Sequence, residues 1–376
     1  MKIISIVGAR PQFIKAATVS RVINKKKEIN EVIVHTGQHF DENMSDIFFE
    51  EMEIPQPSYI LNINNLSHGA MTGRMIENIE KILIDEKPDL VLVYGDTNST
   101  LAGALASSKL HIPIAHVESG LRSFNMQMPE EINRVLTDRV SKFLFCPTKK
   151  SIENLRKEGF PHKLYNNEYQ EIFYTGDVMY DAAIFYAKKS RSKSNIIEKL
   201  GLSEKGFILA TIHRAENTNY PYKLTSIIEA LNEISYYVKI VIPLHPRTKN
   251  IIEKIGIKFS SKIDIIDPVG YFDMLELLKN CFLVMTDSGG LQKEAYFFNK
   301  FCITLRDETE WIELVENEYN FLVGSDRNKI ISTFFRLKDK TFIKDKNLYG
   351  DGNSSNKIVN YILNYFYGRK TYDGNY

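Results

Sequence analysis

Short apolar runs alternate along this chain with longer amphipathic stretches. In the first half the runs Ile3–Val7, Glu31–His35, Leu90–Tyr94, Ile112–Val117 and Phe143–Cys146 read as strands. Helical patterns lie between them at Gln12–Asn24, Gly69–Glu86 and Ser99–Leu110. A polar interval follows, and the rhythm resumes with Ile172–Thr175, Phe207–Ile212, Val238–Leu244, Ile263–Ile266, Phe282–Thr286 and Phe301–Leu305. Strand-helix alternation of this kind predicts parallel sheets covered on both faces, an α/β architecture with two Rossmann-like, doubly wound domains. The boundary is expected near Pro161–Glu171. Residues 1–168 with 356–376 are assigned to the first domain and 169–355 to the second, the last helix at Asn356–Tyr367 crossing back. Two such domains are expected to face a cleft, where the C-terminal ends of the strands gather ligands.

Composition narrows the classes. The chain has 376 residues, enough for two cores, and a formal net charge of +1. That balance gives no reason to expect nucleic acid or an anionic membrane surface. No apolar stretch is long enough to span a bilayer, and Met1–Ser5 enters a strand without the apolar segment of a signal peptide; a cytoplasmic protein is expected. Cys146, Cys281 and Cys302 are widely spaced in apolar surroundings and read as buried thiols, not as a metal site.

The chemistry sits where strands end. Ile3–Val7 breaks at Gly8-Ala9-Arg10-Pro11-Gln12, and Lys15 follows one turn later. Free N–H groups at a helix start with two cations beside them form an expected seat for a phosphate; the plain alternative is a turn with solvated cations. Leu90–Tyr94 ends in Gly95-Asp96-Thr97-Asn98-Ser99, with Asn98 or Ser99 expected to cap the next helix. The following strand ends in His116-Val117-Glu118, which sets Glu118 beside Asp96 if the strands are neighbours. Pro129-Glu130-Glu131 opens a helix, so Glu130 or Glu131 adds a third carboxylate. Crowded carboxylates divide into acid and base roles, while one of the Glu pair is expected simply to complement the helix dipole. In the second half, His213-Arg214-Ala215-Glu216-Asn217 and His245-Pro246-Arg247 close strands. Asp287-Ser288-Gly289-Gly290 then lies between a strand and a helix that carries Glu294. The glycines open backbone N–H groups to a diphosphate, and Glu294 is placed for ribose hydroxyls. The segment is neither G-x-G-x-x-G nor a P-loop, which disfavours NAD and ATP.

Taken together, these segments resemble the non-hydrolysing UDP-N-acetylglucosamine 2-epimerase family, in order and spacing over essentially the whole chain. The resemblance implies a glycosyltransferase-B type arrangement, usually in a homodimer, with a UDP-N-acetylhexosamine as the expected substrate (UDP-N-acetylglucosamine to UDP-N-acetylmannosamine type) and no cofactor. It implies removal of the sugar's C2 proton, loss of UDP from C1 to give a 2-acetamidoglucal, and re-addition after reprotonation on the opposite face. By motif, Asp96, Glu118 and Glu130 become the acid/base candidates. Arg10, Lys15 and His213 stabilise departing UDP, and Ser288, Gly289, Gly290 and Glu294 hold pyrophosphate and ribose. Arg134 and His245 complete the expected substrate-binding set. The product expected is a precursor of cell-surface polysaccharide.

Departures from the family pattern bear on the substrate. Arg306-Asp307-Glu308-Thr309-Glu310 is followed by Trp311 where members acting on UDP-N-acetylglucosamine commonly have Arg. This text and His213–Thr218 look closer to a branch acting on UDP-2,3-diacetamido-2,3-dideoxy-glucuronate. Arg122, Arg247 and Arg306 are then candidate readers of a uronate carboxylate. Gln38-His39 survives from the pattern of relatives activated by a second UDP-sugar, but Phe40 and Asp41 differ. Competing readings are a glycosyltransferase of the same fold, a nucleotide-sugar sensor and a hydrolysing variant.

Overall fold

Both predicted sheets are present in the computed structural model, which describes residues 1–38, 53, 56–165, 167–344 and 346–368, apart from the Arg10 side chain. The chain divides into two units, Met1–Ala182 together with the residues from Asn347, and Ala183–Lys346.

The first unit is built on β1 (Lys2–Val7), β2 (Asn30–His35), β3 (Tyr59–Ile60), β4 (Leu90–Tyr94), β5 (Ile114–Val117), β6 (Phe143–Cys146) and β7 (Glu171–Tyr174). Its seven strands run in the order β3-β2-β1-β4-β5-β6-β7, and every pairing is parallel. The strand at Glu171–Tyr174 therefore extends the first sheet beside β6 and does not open the second. Its four residues are all half-buried, and nothing in that pattern says which sheet it joins. Ile4, Ile6, Val91 and Val93 pack with Met75, Ile79, Leu83 and Ala102 of the covering helices. The last helix, Ser354–Tyr367, also belongs to this unit: Ser354 and Ser355 donate their N–H groups to Asp181 at 3.0 and 2.7 Å, and Tyr361 stacks on Phe173.

The second unit holds β8 (Phe207–Thr211), β9 (Lys239–Pro243), β10 (Ile263–Ile266), β11 (Leu283–Thr286), β12 (Phe301–Thr304) and β13 (Asn320–Leu322), in the parallel order β10-β9-β8-β11-β12-β13. Ile208, Ala210, Ile240 and Met285 pack with Leu224, Ile228, Leu231 and Phe334. Cys146, Cys281 and Cys302 are buried free thiols, each pushed up to about 12 by loss of solvent.

Each sheet starts from a central strand and is wound outwards in both directions. The winding reverses between β1 and β4 in the first unit and between β8 and β11 in the second. At such switch points the connections leave on opposite faces and open a crevice at the strands' C-terminal ends. Gly8 and Gly95 follow β1 and β4; Ile212-His213 and Asp287 follow β8 and β11. Among the described residues no helix is long and apolar enough to cross a membrane.

Candidate active site

The turn after β1 is organised by Gln12. Its side-chain carbonyl accepts from the N–H groups of Gly8 and Ala9 at 2.9 and 3.0 Å, while its amide donates to the Tyr94 carbonyl and to Thr100 Oγ1. Two donors expected to face a phosphate are thus satisfied inside the protein. Helix Arg10–Ile23 does start here, and a buried Lys15 ammonium is ion-paired to Glu118 instead of lying solvated at the surface. The Arg10 side chain, expected beside it, lies outside the described residues, as do His39, Phe40 and Asp41.

Strands β4 and β5 are neighbours, with Tyr94 opposite Val117. Asp96 and Glu118 therefore stand on adjacent turns. Gly95 has φ +65°, which favours glycine, and a Cβ there would come within 3.0 Å of Lys15 Nζ and 3.3 Å of Glu118 Oε2 and crowd that ion pair. Glu118 itself has φ +76°, uncommon for a residue with a side chain. The Phe145 carbonyl holds it there by accepting from the N–H groups of Glu118 and Ser119, both at 3.1 Å. Strain of this kind costs about 1–3 kcal/mol and gathers at functional sites.

Asp96 is about one-third exposed and receives Arg134 through Nη2 at 2.6 Å and Nε at 3.1 Å. Arg134 also donates through Nη1 to Glu131 at 2.8 Å. Burial works against the guanidinium's charge, but the fields of Asp96 and Glu131 outweigh it and push its pKa up. Helix Pro129–Val140 separates the two acids of its first turn. Glu131 is buried and accepts from the Ser123 and Phe124 N–H groups at 3.0 and 2.9 Å. Glu130 is exposed. The helix that follows Asp96 is capped by Thr97, whose hydroxyl accepts from the Thr100 N–H; the expected caps Asn98 and Ser99 already lie within it. Arg122 is not a spare cation. It is buried, bonded to Asp138 at 2.7 Å and clamped by both oxygens of Glu158 at 2.7 and 2.8 Å.

In the second unit the buried Asp287 organises the switch point. It accepts from the His213 and Arg214 N–H groups and from Asn217 Nδ2, at 3.0–3.1 Å. Asp287 Oδ1 also lies 3.2 Å from His213 Nδ1, which orients a half-exposed imidazole and leaves Nε2 for other partners. Ser288 caps helix Gly289–Phe297 through the Leu291 N–H. A Cβ on Gly289 would meet Glu310 Oε1 at 2.5 Å and require that carboxylate to move, whereas nothing lies within 4 Å of a Cβ on Gly290. Trp311 Nε1 donates to the Gly289 carbonyl at 2.9 Å, and Lys293 Nζ stands 4.0 Å over the Trp311 ring. Neither contact is expected from motif reading, because Trp311 enters there only as a departure. Glu294 is buried and receives the Tyr271 hydroxyl at 3.4 Å. Arg306 is buried and paired with Glu310 at 3.0 Å. His245 is exposed and caps helix Pro246–Ile255, accepting from the Arg247 N–H at 3.2 Å; exposed Arg247 donates to Asn219. Among the described residues no group of three or more His, Cys, Asp or Glu side chains is placed to hold a metal ion.

One switch point thus gathers carboxylates paired with cations, and the other a capped helix start that opens on two glycines. Comparison with known proteins gives the family. A family model described as UDP-N-acetylglucosamine 2-epimerase matches residues 21–363. A Pseudomonas aeruginosa protein named UDP-2,3-diacetamido-2,3-dideoxy-D-glucuronate 2-epimerase is 56% identical over 363 residues, 96% of this chain and 99% of that one. The UDP-N-acetylglucosamine 2-epimerase of Methanocaldococcus jannaschii is 44% identical over 373 residues, 97% of this chain and 99% of that one. A crystal structure of the M. jannaschii enzyme with UDP-GlcNAc and UDP superposes with a TM-score of 0.85 at 44% identity, covering 97% of this chain and 100% of that one. This chain belongs to the UDP-N-acetylglucosamine 2-epimerase family, a family of isomerases.

Proposed function

We propose that the chain inverts C2 of UDP-2,3-diacetamido-2,3-dideoxy-glucuronate, in place of the UDP-N-acetylglucosamine named for the family as a whole. The relative bearing that activity shares 56% of its residues, against 44% for the M. jannaschii enzyme. The Trp311 departure points the same way, and exposed Arg247 remains a candidate for the uronate carboxylate.

In the reaction a carboxylate takes the C2 proton, the C–H electrons form the C1=C2 bond, and the C1–O bond breaks towards the β-phosphate. The UDP oxygen then adds back to C1 while a carboxylic acid returns a proton to the other face of C2. Asp96, Glu118 and Glu130 supply the acid and base. The C2 hydrogen has no adjacent carbonyl, so the barrier falls chiefly by stabilising charge on the leaving diphosphate. Arg10, Lys15 and His213 do this, while Arg134, His245, Ser288, Gly289, Gly290 and Glu294 hold the substrate. The enzyme works in the cytoplasm as a homodimer and feeds polysaccharide synthesis.

The observation that carries the reading is the pair of adjacent turns bearing Asp96, bridged to Arg134, and Glu118, held in strained backbone against Lys15. Incubation in heavy water with each of the two UDP-sugars tests it. Deuterium at C2 and the C2 epimer are expected, faster with the diacetamido-uronate. Exchange with neither sugar removes the epimerase reading; free sugar and UDP in the phosphorus NMR spectrum replace it with hydrolysis. Exchange faster with UDP-N-acetylglucosamine overturns only the choice of substrate.

A further inference from the structure

His116 lies on β5 with no exposed surface, two residues before Glu118. Its Nδ1 is 2.6 Å from Asp138 Oδ1 and its Nε2 is 2.7 Å from the Gly95 carbonyl oxygen. A carbonyl oxygen only accepts, so Nε2 carries a proton. Asp138 is buried and receives the Gly120 N–H at 3.1 Å and Arg122 Nη1 at 2.7 Å on its other oxygen. The buried Arg122 guanidinium pairs with this carboxyl, and neither it nor the Gly120 N–H can accept a proton from it, so Asp138 is ionised by its own partners and is an acceptor too. A neutral imidazole would place a lone pair against one of these oxygens at hydrogen-bond distance.

We infer that His116 is an imidazolium that acts as a positioning residue, fixing the turns that carry Asp96 and Glu118 against each other and against the helix that carries Glu130. Gly95 is held by β5 at both ends of its backbone: its N–H donates to the Val117 carbonyl at 3.0 Å, and its carbonyl receives His116 Nε2. The next residue along one chain segment is Asp96, and along the other Glu118. The opposite nitrogen of the same ring ties in Asp138, on helix Pro129–Val140 with Glu130, Glu131 and Arg134. Charge is balanced locally by a chain of four buried or half-buried groups: His116, Asp138, Arg122 and Glu158. No single neutral side chain substitutes for this ring, because its two protons point to acceptors on opposite sides.

The expected loss of turnover rests on the acid/base roles given above; the protonation state does not, and the two are measured separately. Nitrogen-15 NMR of the histidine-labelled full-length protein at neutral pH reads the ring directly. One histidine is expected to show protons on both ring nitrogens, slow to exchange with solvent, and that signal is expected to vanish in His116→Gln. Absence of any doubly protonated, exchange-protected histidine overturns the inference, and this measurement needs no variant to fold. In His116→Gln, kcat for C2 exchange is expected to fall about ten- to a hundredfold with KM changed less than about threefold, the pattern of misplaced catalytic groups. An unchanged kcat in a folded variant overturns the positioning role. Wild-type protein that exchanges neither sugar defeats the functional reading and leaves the NMR result standing.

Discussion

Replacing Gly95 by alanine separates backbone strain from crowding at the Lys15–Glu118 ion pair. The residue has φ +65°, and an L-side chain in that region costs about 1–2 kcal/mol. For a unit of this size that corresponds to a thermal midpoint about 2–8 °C lower. The added methyl also falls 3.0 Å from Lys15 Nζ and 3.3 Å from Glu118 Oε2, so the ion pair must give way by a few tenths of an ångström. Misplacing a reacting group by about 1 Å costs about a hundredfold, so this smaller shift is expected to slow C2 exchange about three- to tenfold. Gly159 is the matched control. It lies in the same unit with φ +82°, and a Cβ there meets only His162 Cε1 at 3.7 Å, an ordinary contact. Gly159→Ala is expected to lose similar stability and keep full turnover. Thermal unfolding and deuterium incorporation at C2, measured on both variants, decide the matter. Equal turnover in the two refutes the claim that Gly95 makes room for the Lys15–Glu118 pair.

Four further substitutions probe other parts of the structure. Glu131→Gln places an amide group among three donors in a buried site and is expected to cost about 3 kcal/mol or more, read by denaturant unfolding; Glu130→Gln, at an exposed position, is expected to leave stability within about 0.5 kcal/mol while slowing C2 exchange about a hundredfold. Glu31 is buried with Ser5 and Ser20 donating to one oxygen, and burial raises its pKa above that of the unfolded chain. Its contribution to stability is full below the unfolded pKa and declines as pH rises through the folded one, so Glu31→Gln is expected to stabilise at neutral pH and to gain less near pH 4 (about the ordinary carboxylate pKa), as melts at the two pH values would show. Trp311→Phe removes the hydrogen bond to the Gly289 carbonyl and is expected to lower stability by about 1 kcal/mol, read by denaturant unfolding.

The strand-helix rhythm and the glycines at strand ends were open to reading from sequence because each has a local cause: burial on both faces of a parallel sheet, and backbone that must turn without a Cβ. Long-range pairing has none. β7 looks like any short half-apolar segment, and its place beside β6 depends on a partner far back in the chain. Arg122 reads as a free cation until Asp138 and Glu158 are brought to it, 16 and 36 residues away. The fate of the Gly8 and Ala9 N–H groups was hidden for the same reason, since Gln12 is held in place by Tyr94 and Thr100, 82 and 88 residues further on. Glu131 and Arg134 are the instructive exception. They stand three apart on one helix, so their pairing is a local consequence of helix geometry.

The ionisable residues crowded at the strand ends divide by environment. His116, Asp138, Arg122 and Glu131 are buried, each with a charged partner, and such groups are costly to uncouple. Asp96 and His213 keep exposed surface while held from one side, by Arg134 and Asp287 respectively. A side chain oriented by the protein on one side and left accessible on the other suits general acid/base and leaving-group roles; Glu118 and Lys15, buried against each other, must exchange that partner for the substrate to take theirs. The buried class accounts for why the accessible one can be oriented at all: β5 presents Glu118 and steadies Gly95, and helix Pro129–Val140 supplies Arg134 to Asp96 while Asp138 fixes that helix to His116. Disturbing the buried groups is thus expected to alter turnover through geometry, whereas Asp96→Asn, which keeps an acceptor oxygen for Arg134, is expected to alter it through chemistry with unfolding close to wild type.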